Sequence, residues 1–82
     1  MTEENILKDE WQIDIIRITN SKNGSVSKQL PTFVLPESLG ILNSDHAAEV
    51  VKEIAGVPGS TLSVVMWNEY RNMYFDRIIH CN

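Results

Sequence analysis

His46, His80 and Cys81 carry the only imidazole and thiol groups of this chain, the groups most often used to hold soft metals or to run acid–base and nucleophilic chemistry. A structural zinc site gathers four ligands in recognisable pairs, and His80-Cys81 is the single pair available, so no metal site is expected. A dyad of Cys81 with His46 would need the fold to unite distant residues. Cys81 also sits one residue from the end of the sequence, where fraying opposes the roughly 0.5 Å precision that catalysis demands. Asp14, Asp76 and other carboxylates could supply an acid and a base, yet eleven acidic residues in so short a chain form close pairs by chance. Gly24, Gly40, Gly56 and Gly59 occur singly, so neither a phosphate-binding loop nor a dinucleotide fingerprint is present. The expectation is no catalysis, no cofactor and no metal.

Binding chemistry is better represented. Trp67, Tyr70, Arg71 and Tyr74 fall close together, and Trp, Tyr and Arg are the residue types that dominate interface hot spots. They form the candidate anchor for a protein partner. Glu49 and Glu53 add a second candidate contact, because carboxylates can occupy arginine and lysine sites that otherwise hold phosphate. A rival use of the same region is a stacking platform for single-stranded nucleic acid, with Arg17, Arg71 and Arg77 as its cations. Seven basic residues against eleven acidic ones leave a net charge of −4, a field that repels phosphate backbones, so direct nucleic-acid binding is the weaker reading.

The elements that must position these residues are legible in the pattern. Residues 1–10 read as an acidic N-terminal arm, and residues 11–82 as a single domain. Trp11, Ile13 and Ile15 alternate with polar residues as a strand with one buried face would. Ile16 and Ile18 then change face, which calls for a bulge or a second buried face. Asn23-Gly24 is a strong hairpin signal, so the first two strands should pair antiparallel. The return strand spans about Val26 to Leu35, and Pro31 makes it an edge or interrupts it. Leu39, Ile41 and Leu42 are expected to plug one end of the core. Ser44 or Asp45 should cap a helix whose stripe is Ala47, Val50, Val51, Ile54 and Ala55, ended by Gly56 and Pro58. Leu62 to Trp67 reads as a strand buried on both faces. For the last fifteen residues a hairpin is preferred to a helix, since Tyr, Phe and Ile suit strands. The fold class expected is α+β: a four-stranded antiparallel or mixed sheet with one helix on one face, in the order β-β-α-β-β.

Length and composition bound the function. Eighty-two residues make one domain, with a core too thin to wall a deep substrate pocket. No apolar run nears the ~20 residues a membrane span needs, and the first residues lack the basic and apolar regions of a secretory signal. A cytoplasmic, non-membrane protein is expected.

The succession WQIDIIRI, TFVLP, DHAAEVVKEIAG, TLSVVMW and MYFDRII resembles small β-β-α-β-β accessory proteins of phages and mobile elements, anti-CRISPR inhibitors among them. That resemblance implies action without catalysis, by occupying a nucleic-acid or subunit site on a larger host complex. The reading from sequence is therefore a protein-binding module that inhibits or modulates a larger, nucleic-acid-handling complex. The alternatives are a nucleic-acid-binding domain, or a structural homodimer closed through the Pro31 edge or the last strand.

Overall fold

The computed structural model describes residues 7–82 and combines one helix with a five-stranded antiparallel sheet. Most of the expected acidic arm, residues 1–6, lies outside the described residues. The strands are β1 (Trp11–Ser21), β2 (Gly24–Gln29), β3 (Phe33–Leu35), β4 (Ser60–Asn68) and β5 (Met73–His80), with the helix α1 (Ser44–Ala55) between β3 and β4. The order across the sheet is β2-β1-β4-β5, and β3 pairs with β1 on the same side as β2. The class is α+β, and the last segment is the hairpin.

The fifth strand comes from splitting the return strand, and the cause is Pro31. Between the pairs Ile16↔Gln29 and Ile13↔Phe33, β1 contributes Asp14 and Ile15 while its neighbour contributes Leu30, Pro31 and Thr32. One extra residue on one side is a β-bulge, and it falls where proline has no N–H to donate. The Leu30 N–H still donates to the Ile15 carbonyl at 2.9 Å. The bulge changes parity, so Leu30, Phe33 and Leu35 all turn toward the core although their spacing mixes odd and even. The bulge or second buried face expected near Ile15 and Ile16 is not found in β1: Ile16 and Ile18 simply point to the sheet face away from the helix, where Ile16 is 43% exposed. β1 itself pairs with β4 without interruption from Gln12↔Trp67 to Thr19↔Ser60.

Several local expectations shift for identifiable reasons. The β1–β2 turn is centred on Lys22-Asn23, one residue earlier than the Asn-Gly signal, and Gly24 takes the positive φ of 113° as β2 begins. The Ser21 hydroxyl stabilises this turn by donating to the Gly24 carbonyl at 2.8 Å. Helix α1 is capped by Asn43, not by Ser44 or Asp45: the Asn43 side-chain oxygen accepts from the His46 N–H at 2.9 Å. The buried stripe of α1 is Ala47, Ala48, Val51 and Ala55, rotated so that Ile54 is 59% exposed. Small residues on this face let the helix lie close to the sheet. Of the three expected plugs only Ile41 is buried: a short 3-10 turn at Glu37–Leu39 leaves Leu39 exposed, and Leu42 stands exposed just before the helix start.

The core sits between α1 and one face of the sheet, with Trp11, Ile13, Ile15, Leu62, Val64 and Met66 at its centre. In β4, buried and half-buried residues alternate without exception, so this strand is buried on one face and not on both. Cys81 is buried beside Gly56, where an added Cβ would press into the Lys52 carbonyl and lie 3.1 Å from the Cys81 sulfur. The Cys81 backbone is bonded at both N–H and C=O, to Ser60 and Gly59, so the terminal residues expected to fray are held through this position.

Candidate functional site

The sequence-derived anchor divides into two parts with different roles. Arg71 lies in the β4–β5 loop, Glu69–Asn72, which Asn68 and Asn72 shape: Asn68 Oδ1 accepts from the Arg71 N–H at 3.0 Å, and Asn72 takes a φ of 54°. The turn folds the Arg71 side chain back onto the protein. Its Nε and Nη2 donate to Asp9 Oδ1 and Oδ2 at 2.8 and 2.9 Å, and Nη2 and Nη1 donate to the Ile41 and Leu42 carbonyls. The guanidinium carbon also lies 5.8 Å from the centre of the buried Trp11 ring. Fully buried Asn68 completes the clasp by donating to Asp9 Oδ1 at 2.7 Å. Hydrogen bonds from Arg71 and then from Asn68 hold the Asp9 carboxyl below its ordinary range, and the Asp9 bond raises Arg71. Arg71 is therefore a structural tie joining three segments and not a free anchor for a partner. Tyr70, its neighbour, is exposed at the loop tip.

The other two arginines of the nucleic-acid reading are also engaged internally. Arg17 extends from the core face of β1, and its Nη2 donates to the Ala55 carbonyl at 2.8 Å, meeting the negative end of the α1 dipole. Arg77 reaches from the core face of β5 to the opposite end of α1, where Nη2 contacts Asp45 Oδ1 at 2.5 Å and Ser44 Oγ at 3.3 Å. Two sheet arginines thus fix the two ends of the helix. His46 is occupied by the helix start, its Nδ1 accepting from the Leu42 N–H at 3.1 Å, whereas Cys81 abuts Gly56 beyond the helix end. About ten residues of helical rise place these two near opposite ends of an axis roughly 15 Å long, so the imagined dyad is not assembled.

What the fold does assemble is the sheet face away from the helix. Antiparallel register and the two-residue side-chain period set its rows. The first is Val34, Gln12, Trp67 and Tyr74; the second is Asp14, Val65 and Asp76; the third is Gln29, Ile16, Ser63 and Ile78; the fourth is Ser27, Ile18, Thr61 and His80. Tyr74 is 66% exposed and Ile78 59%, with Val34 and Ile16 also open and Trp67 half-buried. In these paired rows the face carries two carboxylates, Asp14 and Asp76, flanking Val65, and no lysine or arginine, while Lys8, Glu10 and Glu69 line a pocket beside Gln12 at its end. The Thr32 hydroxyl donates to Asp14 Oδ1. Trp67 and Tyr74, both in the expected anchor, are direct cross-strand neighbours here. The rest of the patch is invisible to local clustering, since Ile16 and Ile78 are 62 residues apart; the face switch at Ile16 and Ile18 was the available signal.

Glu49 and Glu53 stand on exposed positions of α1, with Glu49 beside a groove lined by Ala48, Lys52, Arg77 and Ile79. The sheet separates them from Trp67 and Tyr74, so one flat contact cannot use both sets. Among the described residues no three His, Cys, Asp or Glu side chains cluster as metal ligands would, and no helix is long and apolar enough to cross a membrane. No family model, no curated protein and no solved structure matches the chain.

Proposed function

We propose that this chain is a non-catalytic protein-binding module, working in the cytoplasm, that inhibits or modulates a larger nucleic-acid-handling protein or complex. The observation that carries this reading is the helix-free face: aromatic and branched apolar side chains around two carboxylates, with no lysine or arginine in its paired strand rows. Its complement is a surface with apolar contacts around a central arginine or lysine pair, and a basic surface of that kind is what nucleic-acid handlers present to phosphates. Occupying it with Asp14 and Asp76 would exclude the nucleic acid, in line with the resemblance to phage and mobile-element inhibitors of the anti-CRISPR type. Trp67 and Tyr74 are the anchors, Ile16, Val65 and Ile78 the surrounding apolar contacts. Arg71 is removed from the contact set, and Glu49 and Glu53 lie on the far side.

The test is affinity capture from host extract with three tagged forms, followed by titration against the captured protein. Trp67→Ala with Tyr74→Ala is expected to weaken binding at least ~30-fold, the scale of a 2 kcal/mol hot spot. Asp14→Lys with Asp76→Lys should act in the same direction and flatten the salt dependence, while Glu49→Ala with Glu53→Ala should change little. Unaltered affinity in the aromatic double variant would discard this face as the binding site.

A further inference from the structure

β5 is an open sheet edge: among the described residues nothing pairs with it on the side away from β4. In an antiparallel pair, ladder bonds alternate, so every second residue of β5 points its N–H and C=O outward. The Cys81 N–H donates to the Ser60 carbonyl at 2.9 Å, which assigns Met73, Phe75, Arg77 and Ile79 to the β4 side. The Leu30-to-Ile15 bond on the other side of the sheet carries the same alternation across β1. The outward set is therefore Tyr74, Asp76, Ile78 and His80. The opposite edge of the sheet is broken by the Pro31 bulge, a common protection against pairing. β5 is continuous and contains neither proline nor glycine.

We propose that β5 pairs antiparallel with β5 of a second copy of this chain, with the two-fold axis at Ile78. Charge selects that register. An axis at Asp76 sets this carboxylate against itself, and an axis at Arg77 sets guanidinium against guanidinium; like charges directly opposite destabilise a strand pair. An axis at Phe75 runs each strand into the other's Glu69–Asn72 loop, and an axis at Ile79 leaves only three residues of each strand overlapping. With the axis at Ile78, that residue meets the partner's Ile78, and Asp76 meets the partner's His80 twice over, a carboxylate–imidazole pair on each side of an apolar centre. Arg77 faces the partner's Ile79 on the helix side. The two sheets become one, both helices stay on one side, and the two helix-free faces merge into a single surface.

Sedimentation equilibrium over a micromolar to millimolar series is expected to show a concentration-dependent dimer. Asp76→Lys should weaken it about tenfold by placing a cation against the partner's His80, and adding His80→Glu should restore it. In a Cys81→Ala background, mild oxidation should yield covalent dimer from Ile78→Cys but not from Asp76→Cys or Arg77→Cys, with circular dichroism verifying that each variant is folded. A chain that stays monomeric at millimolar concentration, a dimer indifferent to Asp76→Lys, or cross-linking centred on position 76 or 77 would each overturn the proposal.

Discussion

Arg71 shows how a residue type can mislead when its surroundings are unknown. Arginine among aromatics is the composition of a hot spot, yet the same guanidinium is equally suited to satisfy a carboxylate and two loop carbonyls at once. The clasp predicts that Arg71→Ala lowers the melting temperature clearly more than Tyr70→Ala, whose side chain is exposed. It also predicts a pH signature. Asp9 is held below its ordinary value of 3.8, so the unfolded chain binds the proton more readily than the folded one. The stabilisation from Asp9 is therefore present above that value and lost as the pH falls through the depressed one. Thermal melts of wild type and Asp9→Asn should differ at neutral pH and converge below about pH 4. A gap that stayed constant into strong acid would show that the carboxylate charge contributes nothing.

At the level of elements, the bulge at Pro31 decides more than its single extra residue implies. It sets which side of β3 faces the core, placing Leu35 inside and Val34 on the helix-free face. Leu35→Ala should cost about 2–5 kcal/mol, the usual range for emptying a buried leucine site. Val34→Ala should fall within about 0.5 kcal/mol, as surface changes generally do. Urea titrations of the two variants measure both, and comparable losses would mean that the parity of β3 is misassigned. The helix is likewise specified from outside itself: Asn43 caps its start, while Arg17 and Arg77 reach it from the sheet. Three turns of helix are marginal alone, so these contacts and the alanine-rich buried face supply what propensity does not.

For the whole molecule, the distribution of charge matters more than its sum. The net −4 already opposes nucleic acid, but three arginines on an exposed platform could have outweighed it locally. Instead Arg17, Arg71 and Arg77 all turn to acceptors within the protein, and the open face keeps two carboxylates. No retention on single-stranded DNA or RNA columns is expected even at about 20 mM salt, where counterion release most favours binding. Salt-sensitive retention would reinstate the platform. The merged faces of the proposed dimer would double the docking surface without changing its sign.

The sequence by itself determined the α+β class, the hairpins, the single helix and the closeness of Trp67 and Tyr74 to the final loop, because these follow from local periodicity, turn chemistry and short-range neighbours, whereas their direct pairing came with the register. It also carried the mark of the open face in the switch at Ile16 and Ile18, without saying whether that second face was covered. Only the tertiary structure decided which face the helix took, where the bulge lay, and that Arg71 belongs to Asp9 across 62 residues of chain. Those outcomes depend on strand register and on which distant acceptors come within hydrogen-bond reach. No local pattern encodes that information, because side-chain partners across a sheet are set by the packing of all its strands at once.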